Sequence, residues 1–146
     1  MTAPDFKLKK MNTNDVIHLR SYQGKPMLLT FWASWCPDSQ VDLLHKQRFY
    51  DHLDKNQLHF LTINVTGRER AAEAAQQLIE REGYTFPVLL DEGTAIYDRY
   101  QCMGVPTTFI LDAKQEIVNR FNDNAKFIDI MKGLHRVMDS HESEPG

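Results

Sequence analysis

The apolar positions of this chain fall into two kinds of run, and the kinds alternate. Met27-Leu28-Leu29-Thr30-Phe31-Trp32-Ala33 is apolar on both faces of an extended chain, which predicts a buried interior strand. Leu58–Val65 and Phe86–Leu90 predict two more strands. Thr107–Leu111 and Ile117–Phe121 alternate about Asp112-Ala113-Lys114-Gln115, as an antiparallel hairpin does. Between these lie stretches at helical spacing. Cys36 to about Lys55 predicts a helix with Val41, Leu44 and the Phe49/Leu53 pair as its apolar stripe. Arg68–Glu82 predicts a second, with Ala71, Ala72, Ala74, Ala75, Leu78 and Ile79 inside and Gly83 as its stop. Thr94–Tyr100 predicts a short helix. Asn124–Met138 predicts an amphipathic closing helix through Phe127, Ile130, Met131, Leu134 and Met138. Ahead of the first strand, Ala3–Leu8 is an extended lead-in, Asp15–Leu19 an edge strand and Gly24-Lys25-Pro26 a turn. The polar end, Asp139–Gly146, is expected to fray.

Strand-helix alternation followed by a hairpin predicts an α/β class with a mixed central sheet and helices on both faces. The 146 residues fit a single domain, 1–146, and 42% hydrophobic content suffices for a core without staples. The charge balance, 17 Lys and Arg against 20 Asp and Glu with no basic stripe, argues against a nucleic-acid partner. No run nears the ~18 apolar residues of a membrane span, and Met1–Lys10 has no apolar leader region. The expectation is a cytoplasmic monomer; an extracytoplasmic domain freed of an anchor has the same composition. Six His and two Cys show no ligand spacing, so neither metal nor cofactor is expected.

The candidate chemistry sits where the first long strand meets the first long helix, at Trp35-Cys36-Pro37-Asp38-Ser39. A cysteine at a helix N-terminus faces unpaired backbone N–H groups and the positive end of the helix dipole, which favour a thiolate. Pro37 suits the first helical turn. A two-cysteine redox motif reads C-x-x-C; here it reads C-x-x-S.

Four segments carry a resemblance: A-P-D-F at 3–6, F-W-A-S-W-C-P at 31–37, F-P-V-L-L-D at 86–91 and G-V-P-T-T-F-I-L-D at 104–112. With them the chain, from Ala3 to Met138, resembles the thioredoxin superfamily and within it the TlpA/ResA-like, redoxin-type thiol-disulfide oxidoreductases. The resemblance implies a thioredoxin-like fold with Cys36 as nucleophile. It also implies a cis peptide bond before Pro106 beside the sulfur, and Trp35, Pro37, Val105 and Pro106 as the substrate surface. Val105 would pair with bound peptide as an added strand. Three positions depart from the family. Ser39 replaces the resolving cysteine, through either a natural monothiol site or a replaced cysteine. Thr30 stands where thioredoxin has a buried acid. Cys102 stands where an apolar residue is usual. Glu69 is the nearest match to an acid that serves the sulfur in this branch.

The bland reading of Glu69 is a solvated carboxylate on the first turn of the 68–82 helix, and that of Cys102 is core packing. Ser39 has the plain role of a helix-start polar residue, or its hydroxyl donates to a Cys36 thiolate. Trp32 belongs to the core, whereas Trp35 should flank a partly exposed sulfur. The function expected is exchange with thiol- or disulfide-bearing protein substrates through a Cys36 mixed disulfide, resolved by an external thiol or redox partner. Two alternatives stand beside it. One is a non-catalytic peptide-binding or chaperone module. The other is a peroxiredoxin-type peroxidase, which the sequence disfavours: the Thr or Ser three residues before such a cysteine and the Pro seven before it are here Ala33 and Leu29.

Overall fold

The computed structural model describes residues 1–143. Its strands are β1 (Lys7–Lys10), β2 (Val16–His18), β3 (Met27–Trp32), β4 (His59–Asn64), β5 (Val88–Leu90), β6 (Thr107–Leu111) and β7 (Ile117–Phe121). Its helices are α1 (Pro37–His52), α2 (Ala74–Glu82), α3 (Ala95–Arg99) and α4 (Phe127–Ser143). The strands form one mixed sheet in the order β2-β1-β5-β4-β3-β6-β7. β3, all six residues buried, is interior: it pairs parallel with β4 and antiparallel with β6. The short segment at Val16–His18 is an outer strand, as its sequence suggests.

Alternation along β3 sorts the core into two layers. Met27, Leu29 and Phe31 join Leu61, Ile63, Leu89, Phe109 and Tyr100 on one face. Leu28 and Trp32 join Leu43, Phe60, Val88, Ile110, Ile130 and Leu134 on the other. The period-two pleat is the cause: a run apolar at every position must find a core on each side. Among the described residues, no helix is long and apolar enough to cross a membrane.

Three expectations need correction. First, residues 69–73 are not helical, and α2 starts at Ala74. Thr66–Arg68 is a single 3-10 turn stitched to the turn after β5: Gly67 N–H donates to Gly93 O (2.8 Å) and Thr66 Oγ1 to Asp91 O (2.7 Å). Those bonds outweigh the helix propensity of the alanines, which is worth only tenths of a kcal/mol per residue. Second, the buried face of α1 is Ser39, Leu43, Lys46 and Gln47, while Val41 (58%) and Leu44 (40%) are exposed. The inward face is held by polar hooks. Lys46, wholly buried, donates to Asp42 Oδ2 (2.7 Å) and Thr108 Oγ1 (2.6 Å), and Gln47 Oε1 accepts from Thr85 N–H (2.9 Å). Burial pushes the Lys46 amine below the usual lysine range, and Asp42 opposes that shift. Third, the polar end does not fray at Asp139. α4 runs through Ser143, with His135 paired to Asp139 one turn on (3.2 Å); residues 144–146 lie outside the described residues.

Gly67 shows how close the two loops come. A Cβ there would lie 2.7 Å from the Gly93 carbonyl carbon and 2.8 Å from Thr94 Cγ2. Gly67→Ala is therefore expected to destabilise the protein by about 1–3 kcal/mol through backbone displacement, read as a lower urea midpoint with unchanged slope. An unchanged midpoint would show that the two loops are not locked together.

Candidate active site

β3 and β4 run parallel and end at the same edge of the sheet, and antiparallel β6 begins there. Three segments thus converge: Ala33–Cys36 after β3, Val65–Arg70 after β4, and Gly104–Pro106 before β6. Ligand sites of open α/β sheets form beyond the carboxyl ends of parallel strands in this way.

Cys36 is the N-cap of α1, with extended backbone (φ −80°, ψ 118°), and Pro37 occupies the first helical position. Its thiol lies 3.4 Å from the carbonyl oxygen of Val105, to which it donates. The Val105–Pro106 bond is cis. The sulfur is less open than expected: Cys36 is 8% exposed, the same as Cys102. The segment before Pro106 and the half-buried Trp35 pack about the cluster that holds it.

Ser39 is fully buried, and its Oγ accepts from Ala33 N–H (3.4 Å). Ser39 therefore ties the first turn of α1 to the end of β3.

Glu69 is half-buried and stands outside any helix. Its carboxylate accepts from Ser34 N–H (2.7 Å), Ser34 Oγ–H (2.5 Å) and Asn64 Nδ2 (2.7 Å). Ser34 is gripped a third time, its carbonyl accepting from Gln40 Nε2 (2.8 Å). One acid thus fastens the loop after β4 to the loop that presents the sulfur, and charged acceptors make the stronger bonds. Trp35 is fixed from the same loop: its Nε1 donates to Arg68 O (2.5 Å), and the Arg70 guanidinium lies 4.4 Å over its ring. Ser34, Asn64, Arg68 and Arg70 escaped the sequence reading. Asn64, polar at the end of an apolar strand, was the available signal.

Cys102 lies in the core layer that also holds Cys36, Val105 and Tyr100. Burial pushes its thiol from 9.0 up to about 12, against the nearby Arg120 charge, so it carries little thiolate near neutrality. Leu29 and Ala33, at the two peroxidase positions, are both wholly buried apolar residues. Among the described residues no cluster of His, Cys, Asp and Glu could hold a metal ion.

Comparison with known proteins gives the family and the fold. The AhpC/TSA family model matches residues 1–120. The sporulation thiol-disulfide oxidoreductase A of Bacillus subtilis is 32% identical over 95 residues, 65% of this chain but only 58% of that protein's length. The thiol-disulfide oxidoreductase ResA of Geobacillus kaustophilus is 30% identical over 136 residues, 93% of this chain and 76% of its own. In structure, the exposed lipoprotein thioredoxin of Streptococcus pneumoniae superposes with a TM-score of 0.76 at 24% identity, over 91% of this chain and 99% of that one. This last likeness shows the fold alone, which is thioredoxin-like.

Two outcomes test the site. Glu69→Ala strands the donors of Ser34 and Asn64 and is expected to cost about 1–3 kcal/mol. Glu69→Gln should cost less, because the Ser34 hydroxyl can turn to accept from the new amide. Equal urea midpoints for parent and both variants would remove Glu69 from this role. The raised Cys102 thiol sets a pH dependence. The folded state keeps a proton that the unfolded chain releases above pH 9.0, so this contribution is complete below pH 9.0 and lost as pH rises toward about 12. Unfolding under reducing conditions should show parent stability falling more steeply above pH 9.0 than that of Cys102→Ala; parallel curves would contradict it.

Proposed function

The chain belongs to the AhpC/TSA family, and from that premise we propose that it is a thiol-disulfide oxidoreductase working through a Cys36 mixed disulfide in monothiol form. The observation that carries this is the placement of the Cys36 sulfur, at the first turn of α1 and 3.4 Å from the carbonyl of Val105, next to the cis Val105–Pro106 turn. The names of the two relatives, both thiol-disulfide oxidoreductases, support it.

The Cys36 thiolate attacks one sulfur of a substrate disulfide. A Cys36–substrate disulfide forms, and the other sulfur leaves as a thiolate. A cysteine at position 39 would then attack Cys36 from within the protein. The Ser39 hydroxyl cannot. Its place is to hold the start of α1 against Ala33 N–H. An external thiolate therefore attacks the adduct, restores the Cys36 thiolate and carries the substrate sulfur away in a new disulfide. Such exchange suits disulfide isomerisation, or removal of small-thiol adducts from proteins, better than net dithiol reduction. Glu69 acts by positioning, through Ser34 two residues before the sulfur. Trp35, Pro37, Val105 and Pro106 form the surface that an extended segment with its disulfide would meet.

The peroxidase reading lacks a hydroxyl at position 33 and a proline at position 29. The only serine hydroxyl of the loop itself, that of Ser34, is given to Glu69.

The protein is expected to form persistent mixed disulfides, detectable by intact mass, and to turn over slowly in a dithiol-driven insulin reduction assay. Ser39→Cys should restore turnover, and Cys36→Ala should abolish both adduct and turnover. Undiminished activity in Cys36→Ala would overturn the proposal.

A further inference from the structure

The loop that carries Glu69 presents two cations, Arg70 over the ring of Trp35, the residue before Cys36, and Arg68 over the ring of Tyr97, and among the described residues neither has an acidic partner. Arg68 and Arg70 are exposed, and among the described residues neither belongs to an ion pair. Both are held in place by neutral groups. Arg68 Nη1 donates to Tyr97 Oη (3.2 Å), with the guanidinium 5.4 Å above the Tyr97 ring, and Arg70 lies 4.4 Å over Trp35. Trp35 directly precedes Cys36 and is itself bonded to the Arg68 carbonyl. Glu69, between the two arginines, is turned inward with its oxygens spent on Ser34 and Asn64. Asp38, two residues beyond Cys36, and Asp123, whose carboxylate lies against Gly104 before the Pro106 turn, are opposing charges at the site. The chain as a whole is negative (−3), so the arginine pair is not a sample of a generally basic surface.

A guanidinium held on an aromatic face keeps its N–H fork free at the edges, and that fork matches a carboxylate. We propose that Arg68 and Arg70 form an anion-reading rim of the Cys36 site, and that the disulfides and thiols handled best are small ones carrying carboxylates near the sulfur. This rests on the thiol-disulfide reading above. A small molecule rather than a protein segment fits two facts: Cys36 is only 8% exposed, and Ser39 leaves resolution to an outside thiol. The steps balance. Cys36–S⁻ with a small disulfide R–S–S–R gives Cys36–S–S–R and R–S⁻. A second carboxylate-bearing thiolate, R′–S⁻, then gives R–S–S–R′ and Cys36–S⁻.

The test uses three symmetric disulfides of similar size: dithiodipropionate, which is doubly negative, hydroxyethyl disulfide, which is neutral, and cystamine, which is doubly positive. Rates of Cys36 adduct formation are followed by mass in the Cys102→Ala background at low salt. The anionic-to-neutral rate ratio should exceed the cationic-to-neutral ratio and should fall roughly tenfold in Arg68→Gln/Arg70→Gln. It should survive in Arg70→Lys and shrink in high salt. Taking ratios cancels any change in the sulfur itself. Ratios equal in parent and double variant would overturn the rim while leaving the thiol-disulfide reading intact. Failure of all three probes to form a Cys36 adduct would overturn both. Charge discrimination seen with an acidic cystine-containing peptide, but absent with dithiodipropionate, would overturn the small-molecule assignment.

Discussion

β3 is hydrogen-bonded on both sides, parallel to β4 and antiparallel to β6, and every one of its residues is buried. The pairing leaves it one place in the sheet. A slip of one residue against either neighbour would carry Phe31 and Leu29 out of one core layer and Leu28 and Trp32 out of the other. Because β4 ends where β3 ends and β6 begins there, the sulfur, the Glu69 loop and the turn before Pro106 must meet at one edge. The site is in that sense a consequence of strand direction.

Direction alone leaves the loops free, and Glu69 removes that freedom. Its carboxylate gathers three donors from two segments, and Gln40 closes the ring from α1. Gly67, packed against the backbone at Gly93, seats the Glu69 loop from behind. The chain gives up a turn of helix at 69–73 to make these bonds. The exchange is favourable because several charge-assisted and buried hydrogen bonds outweigh the small propensity of exposed alanines.

α1 follows the same logic on its inner face. Ser39, Lys46 and Gln47 hook it to Ala33, Thr108 and the Thr85–Phe86 backbone. Thr108 stands opposite Thr30 in the β3–β6 register, and Lys46 donates to its hydroxyl. A helix anchored by polar contacts need not show an apolar stripe. That is why Val41 and Leu44, which look like core in one dimension, face outward.

What the sequence determined by itself is what local physics controls. The doubly apolar β3, the alternating β6–β7 hairpin and the N-cap cysteine with Pro37 behind it follow from pleat, periodicity and capping, whereas the turn at Val105–Pro106 is what the resemblance implies. Each of the first three is a property of a few neighbouring residues. Hence the strands and the Cys36 site were legible with no structure. Only the tertiary structure decided the rest. It turned Glu69 from a solvated helix residue into the clamp on Ser34. It placed Arg70 over Trp35 and Arg68 over Tyr97, buried Cys36 as deeply as Cys102, and put lysine and glutamine where the spacing asked for valine and leucine. These outcomes depend on partners 29 to 62 residues away along the chain, such as Tyr97 for Arg68 and Thr108 for Lys46. No local window contains both members of such a pair, so propensity and periodicity could not weigh the bond that won.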